Sequence, residues 1–252
     1  MGATDAEVAA ALQEFNRHGH FKLPALSSKQ RARLLAGDVV KIIDEAPDGS
    51  GSSRAVGIMV TDLPRDAMWV SCQDLHFVMN STVHELRIDL TPPDKATWYG
   101  LIDLPRPFTD RHWVVDVWNN HALASATQGR AWEHPWSLKP GGVAQARTKV
   151  EAGKVPHTTL SMWENAIETP TNLGAWVALE LPDGGSVFAY NAATRVAGNI
   201  PENLMLQYVK STLDATLRGI EARARATIPS HYIAGHTVVI GGDGQPVKPW
   251  PR

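Results

Sequence analysis

One cysteine, Cys72, stands in a chain of 252 residues, so no disulfide can close within it. Neither a Cys-x-x-Cys redox pair nor a cysteine-rich zinc site can be assembled either. The expected setting is therefore a reducing one, the cytoplasm. No stretch reaches the roughly 18 consecutive apolar residues that a membrane-spanning helix needs. Met1 to Glu14 carries Asp5, Glu7 and Glu14 in place of a basic region followed by an apolar one, and does not read as a signal peptide. Charge of one sign is lacking too: 24 basic and 26 acidic residues are interspersed and leave a net charge of -2. With no basic field to gather a polyanion, nucleic acid is excluded as an expected partner. The ten histidines add positive charge only in acid, a slender basis for transient contact with an anionic membrane. Gly-x-Ser-x-Gly, His-Glu-x-x-His, Walker A and Gly-x-Gly-x-x-Gly patterns are missing, so nucleophilic, zinc and nucleotide chemistry have no local support.

What the chain has is apolar residues, 43% of the total, enough for one large core or for a sheet and helix around a cavity. Apolar positions Val8, Ala11, Leu12 and Phe15 recur at helical spacing, and Ser27 and Ser28 are suited to cap a second short helix to Ala36. Two β-branched runs, Asp38 to Asp44 and Arg54 to Thr61, flank the turn-rich 48–53 and read as a hairpin. Pro64 opens a short helix to about His76. Strand-like runs follow at Thr82 to Leu90, Ala96 to Leu104, Arg111 to Ala126 and Arg130 to Leu138. Lys139 to Pro156, polar and carrying Pro140-Gly141-Gly142, reads as a long loop. His157 to Glu168, Ala175 to Leu181 and Ser186 to Thr194 return to strand patterning. The clearest element is a helix from Ile200 to about Ala226, roughly 40 Å long at 1.5 Å per residue, with an apolar stripe of Leu204, Val209, Leu213, Leu217 and Ile220. A short strand at Thr237 to Ile240 is expected in the tail.

A strand meander that ends in one long amphipathic helix leaves space between the two, and patterning alone allows that space to be solid or hollow. Alternation puts Arg111, Trp113, Val115 and Val117 on one face of their strand. The histidines His18 and His20 form a His-x-His without a third ligand, and His134 beside Glu133 is no better as a metal site. His84 and Glu85 point to opposite faces of a strand and cannot act together; Glu85 and Arg87 share a face, as a structural salt bridge would. The nine tryptophans are scattered over many elements and read as packing residues, with Trp132 and Trp136 the one close pair on a face.

Two segments carry a family resemblance. Leu104-Pro105-Arg106-Pro107-Phe108-Thr109-Asp110-Arg111-His112-Trp113-Val114 resembles the proline, loop and arginine that lead into a central strand of START domains. Gly198-Asn199-Ile200-Pro201 ahead of the long helix resembles the Gly-x-x-Pro opening of their C-terminal helix. The order of elements agrees from about residue 38 to 226, and Pro64 to Val70 resembles the early helix of the wider helix-grip superfamily. Two departures concern head-group recognition: Val117 stands where several members keep a charge, and Val196-Ala197-Gly198-Asn199 replaces Asp-Pro-Gly-Gly.

The resemblance implies an α+β helix-grip fold: a curved antiparallel sheet of about seven to nine strands around a long C-terminal helix, with an internal apolar cavity between them. It divides the chain into an N-terminal helical segment, 1–36, a START-like domain, 37–228, and a tail, 229–252. The implied partner is a lipid or other apolar small molecule, with no cofactor and no metal, and the helix and adjacent loops act as a gate. The expected lining is Trp113, Val115 and Val117 from the central strand, Tyr190, and Met205, Val209, Thr212, Leu213 and Thr216 from the helix. Arg111 is either a head-group contact or a structural partner of Asp110 or Asp103. An enzyme of the same superfamily, a polyketide cyclase/aromatase or a hydrolase acting on a hydrophobic substrate, is the alternative.

Overall fold

The computed structural model describes residues 2–46, 52–73, 83–89, 95–195, 197–198, 202–226, 232 and 239–249. In chain order the elements are α1 (Asp5–His18), α2 (Ser28–Leu35), β1 (Val40–Glu45), β2 (Ser53–Thr61), α3 (Arg65–Gln73), β3 (Val83–Asp89), β4 (Lys95–Ile102) and β5 (Arg111–Trp118). Then come α4 (His121–Ala126), β6 (Ala131–Leu138), α5 (Val143–Glu151), α6 (Leu160–Asn165), β7 (Ile167–Glu168), β8 (Thr171–Glu180), β9 (Ser186–Arg195) and α7 (Glu202–Ala226). The strands form one sheet in the order β1-β2-β9-β8-β6-β5-β4-β3, antiparallel throughout; the short β7 runs parallel to β5 off this path. The chain thus begins at one edge, passes to the far edge, and returns through the middle before α7 crosses over β1, β2 and β9. This is the α+β helix-grip architecture.

Both faces of the sheet are covered, as the apolar character of both faces of β5 requires. On the outer face, α1 and α2 bury Val8, Leu12, Phe15 and Leu34 against Val56, Ile58, Val177 and Ala189. Farther along, α5 and α6 cover Tyr99, Leu101 and Val114. Capping boxes at Thr4 and Ser27 start the first two helices. The segment after α1 is tied down by Glu133 on β6, whose carboxyl accepts the backbone N–H of His20 at 2.7 Å and of Phe21 at 2.9 Å, and the Asn120 amide at 2.6 Å. Burial pushes the Glu133 carboxyl up, opposed by these donors, which favour its charged form. On the inner face, α3 packs against α7 and the Ser71 hydroxyl donates to the Ile220 carbonyl at 2.8 Å.

Three sequence expectations are corrected. The run from Arg111 does not continue as a strand to Ala126: β5 stops at Trp118, and Asn120 caps α4 by accepting the Leu123 N–H at 3.1 Å. The stretch Lys139 to Pro156 is not a bare loop, because Ala146 and Val150, one helical turn apart, bury one side of α5 in an otherwise polar segment. His157 to Glu168 holds α6, capped by Thr159, and only the two residues of β7. Of the tail strand, residues 237 and 238 lie outside the described residues; Ile240 bridges Pro246, and its carbonyl accepts the Trp69 indole N–H at 3.0 Å.

Candidate functional site

Strand alternation and register together decide what the inner face presents. On β4, β5, β6, β8 and β9 the inward positions include Trp98, Trp113, Trp136, Trp176 and Tyr190, which belong to one cluster with Val115, Val117, Met68, Trp69 and Phe188. Trp98 pairs with Val115, and Trp176 with Tyr190. Tyr190 stacks on Trp136 at 5.6 Å between centroids and tilts against Trp176 at 4.4 Å, while Trp176 stacks on Phe188 at 5.5 Å. The Trp136 indole donates to the Asn172 side-chain oxygen at 2.9 Å, which satisfies its buried N–H.

Two glycines make room for these rings. Trp113 lies opposite Gly100, where a Cβ would come within 2.5 Å of the indole; Trp136 lies opposite Gly174, where a Cβ would again come within 2.5 Å of the ring. Each large ring therefore rests over the neighbouring strand rather than standing off it, an arrangement open only where the cross-strand partner has no side chain.

Polar groups share this face. Glu85, opposite Gly100 on β3, keeps accessible surface, yet surrounding protein raises its carboxyl to about 7 by desolvation. The two observations agree if the accessible surface faces an enclosed space rather than bulk solvent. Among the described residues Glu85 makes no hydrogen bond or ion pair, so the expected bridge to Arg87 is not formed. The Tyr190 hydroxyl likewise has no hydrogen-bond partner among the described residues; burial raises its pKa, and the Glu85 charge raises it further. β3 and β9 stand far apart in the strand order, so this influence acts across the inside of the curved sheet. His134 on β6 contacts the Asn119 side-chain oxygen through Nδ1 at 2.7 Å, and burial lowers its pKa to about 4, leaving it neutral. Burial raises the Cys72 thiol well above its ordinary range, which makes it a poor nucleophile. Among the described residues no group of three or more His, Cys, Asp or Glu could hold a metal ion, and no helix is long and apolar enough to cross a membrane.

The residues expected to line a pocket divide as follows. Trp113, Val115, Val117 and Tyr190 are brought together on the inner face. Leu213 is buried against β2, within reach of a Cβ built on Gly57, and Thr212 and Thr216 are half-buried. The side chains of Met205 and Val209 lie outside the described residues. Arg111 is 2% exposed, and its guanidinium donates to the backbone carbonyls of Thr109 and Asp110 and, at 2.8 Å, to that of Ala197. That geometry ties the start of β5 to the approach of α7. Sequence reading missed Trp98, Trp136 and Trp176 as a group and left Glu85 as half of a salt bridge. The signal that finds them is register, because each tryptophan has the right parity only once its strand is paired.

No family model matches the chain, and no curated protein matches it in sequence. Solved structures do match in fold. A STAR-related lipid transfer protein from Xanthomonas axonopodis is 17% identical with a TM-score of 0.52, the match covering 75% of this chain and 98% of that one. Human STARD10 is 9% identical with a TM-score of 0.52, over 83% of each chain. Human StAR-related lipid transfer protein 5 is 11% identical with a TM-score of 0.50, over 86% of this chain and 98% of that one. The fold is the START-like helix-grip fold.

Proposed function

We propose that the protein binds one apolar small molecule, a lipid or lipid-like compound, between the inner face of the sheet and α7, and carries it without altering it. The observation that carries this reading is that Trp98, Trp113, Glu85 and Tyr190 keep accessible surface on the inner face, while helices cover the outer face of the sheet. The lipid-transfer names of proteins with this fold lend it support. Apolar burial supplies the driving force, at about 0.8 kcal/mol for each CH2 removed from water, so few polar contacts are needed. The lone Cys72 fits a cytoplasmic carrier, with α7 and its neighbouring loops as the gate.

Native mass spectrometry of the purified protein, followed by solvent extraction, tests this directly. A stoichiometric apolar molecule in the organic phase is the expected result. A protein that emerges empty and takes up nothing from lipid vesicles would defeat the reading. A second reading, cyclase- or hydrolase-like chemistry on a hydrophobic substrate, draws on Glu85, since a carboxyl raised to about 7 and without a partner among the described residues is suited to proton transfer. Conversion of the extracted molecule by the wild type, but not by Glu85→Gln, would favour it over carriage.

A further inference from the structure

We propose that Trp69, Asn119, His121 and Trp132 form a ready-made binding site for a peptide segment with two adjacent glycines, and that the chain's own C-terminal hairpin is its exchangeable occupant. This site exists whether or not a small molecule enters beneath α7.

The hairpin is folded on itself. The Val247 N–H donates to the Val239 carbonyl at 2.8 Å, the Gly241 N–H to the Gln245 carbonyl at 2.8 Å, and the Gly244 N–H to the Gly241 carbonyl at 3.0 Å. Ile240 bridges Pro246 within the same hairpin, and among the described residues no strand of the sheet pairs with it. Side chains hold it instead, through its carbonyls. That of Ile240 accepts the Trp69 indole N–H at 3.0 Å and the Asn119 amide at 3.4 Å, that of Gly241 accepts the same amide at 3.0 Å, and that of Gly242 meets Nδ1 of His121 at 2.9 Å. Donors from α3, the end of β5 and α4 thus read three successive carbonyls.

Carbonyls are common to every residue, so selectivity comes from Trp132. A Cβ on Gly241 would come within 2.8 Å of its indole and 2.7 Å of the Asp243 carboxylate, and one on Gly242 within 2.5 Å of the indole. Neither glycine has a positive φ. The ring, not the backbone conformation, is what demands glycine at these two positions.

The groove is built without the hairpin. Nδ1 of His134 lies 2.7 Å from the Asn119 side-chain oxygen, which turns the amide nitrogen of Asn119 toward the occupant. The Arg65 guanidinium, paired with Asp66 at 2.6 Å, lies 3.6 Å from the centre of the Trp132 ring, and Trp69 packs edge-on against that ring at 5.3 Å. Asn120, which caps α4 just ahead of His121, donates to Glu133 at 2.6 Å. These ties persist when the hairpin leaves, so the donors and the ring remain in position to take a segment back. Val239 and Val247 pack against the inner-face cluster, and a peptide that displaced them would uncover the cluster beside Trp69 and Trp132.

Fluorescence anisotropy with a labelled peptide of residues 236–249 tests the site in the full chain. A tethered occupant has an effective concentration on the order of millimolar, which a free peptide at about 10 μM cannot overcome. Gly242→Val spoils the occupant and leaves Trp69, Asn119, His121 and Trp132 as they are. The peptide should bind this variant at least tenfold more tightly than it binds wild type, and a peptide that itself carries Gly242→Val should bind neither. In wild type the amides of Gly241, Gly244 and Val247 should exchange hydrogen together, at least tenfold faster than the paired amides of β8 and β9. No binding to a variant that still melts cooperatively would overturn the proposal, and so would equal affinity for the two peptides. If Gly242→Val does not fold, exchange in the wild type decides: hairpin amides as slow as those of β8 and β9 would make the tail a fixed part of the fold and overturn the proposal.

Discussion

The inner face of the sheet has two halves that share one strand alternation and use it oppositely. Where α7 crosses β1, β2 and β9, the space is filled: Leu213, Leu217 and Ile220 are at most 1% exposed. A Cβ on Gly57 would come within 2.9 Å of Leu217, so the glycine is what lets the helix settle onto the strand. The C-terminal part of α7 is also fastened by polar contacts, with the Thr61 hydroxyl donating to Glu221 at 2.7 Å and Arg225 pairing with Asp62 and Glu221. Over β3 to β5 the burial of the described residues is uneven: Val115 and Val117 are buried beside more accessible neighbours. Trp98 and Trp113 remain half-buried, and Glu85 has no partner among the described residues. Glycine thus brings a helix down onto the sheet in one half and lays aromatic rings along it in the other. The lesson is that one device, a residue without a side chain, admits an aliphatic helix residue in one half and an indole in the other.

Four experiments break or sharpen this contrast. The largest loss belongs to the filled half: Leu217→Ala should reduce stability by about 2–5 kcal/mol, read as a shift of the urea midpoint. Gly174→Ala places a carbon within 2.1 Å of the Asn191 carbonyl and 2.5 Å of Trp136. It should cost about 1–3 kcal/mol and change the near-ultraviolet circular dichroism as Trp136 is displaced. Val117→Trp enlarges a buried side chain between Ala96 and Trp136 on the inner face. Uptake of an apolar probe should vanish while the protein still melts cooperatively; loss of folding instead would mean that this region is solid.

The smallest effect is a pH slope. Glu85 holds its proton in the folded protein to about 7, against an ordinary value of 4.5. Between those values the folded state binds more protons than the unfolded one, so this group's contribution to stability is full below about pH 4.5 and is lost as pH rises through about 7. His134, lowered to about 4 by burial, acts in the opposite sense, its neutral form favouring the fold less as pH falls below 6.5 toward 4. The difference between wild type and Glu85→Gln isolates the carboxylate: the variant should lose less stability from pH 5 to pH 8. An identical profile would place Glu85 in bulk water.

Most of the architecture was legible because its signals are local. The β-branched alternation of β1, β2 and β5 and the long stripe of α7 each fall within one stretch of chain. Short helices were not: His121–Ala126 reads as more strand until Asn120 is recognised as a cap, and α5 buries only Ala146 and Val150. The central part of the site, Trp113, Val115 and Val117, follows from one strand's parity. The convergence of Trp98, Trp136 and Trp176 does not, since it depends on which residue of a distant strand lies opposite each ring. Glu85 and Arg87 do share a face, but alternate residues on a strand are about 6.7 Å apart, a spacing that permits an ion pair without requiring one.

The crowding of indoles around a single space has an optical consequence. Six of the nine tryptophans, Trp69, Trp98, Trp113, Trp132, Trp136 and Trp176, belong to the inner-face cluster. Intrinsic emission is thus weighted toward the region where a guest would sit. A molecule that entered there would displace water from the half-buried Trp98 and Trp113, so the colour and lifetime of the protein's own fluorescence would report occupancy without any attached dye.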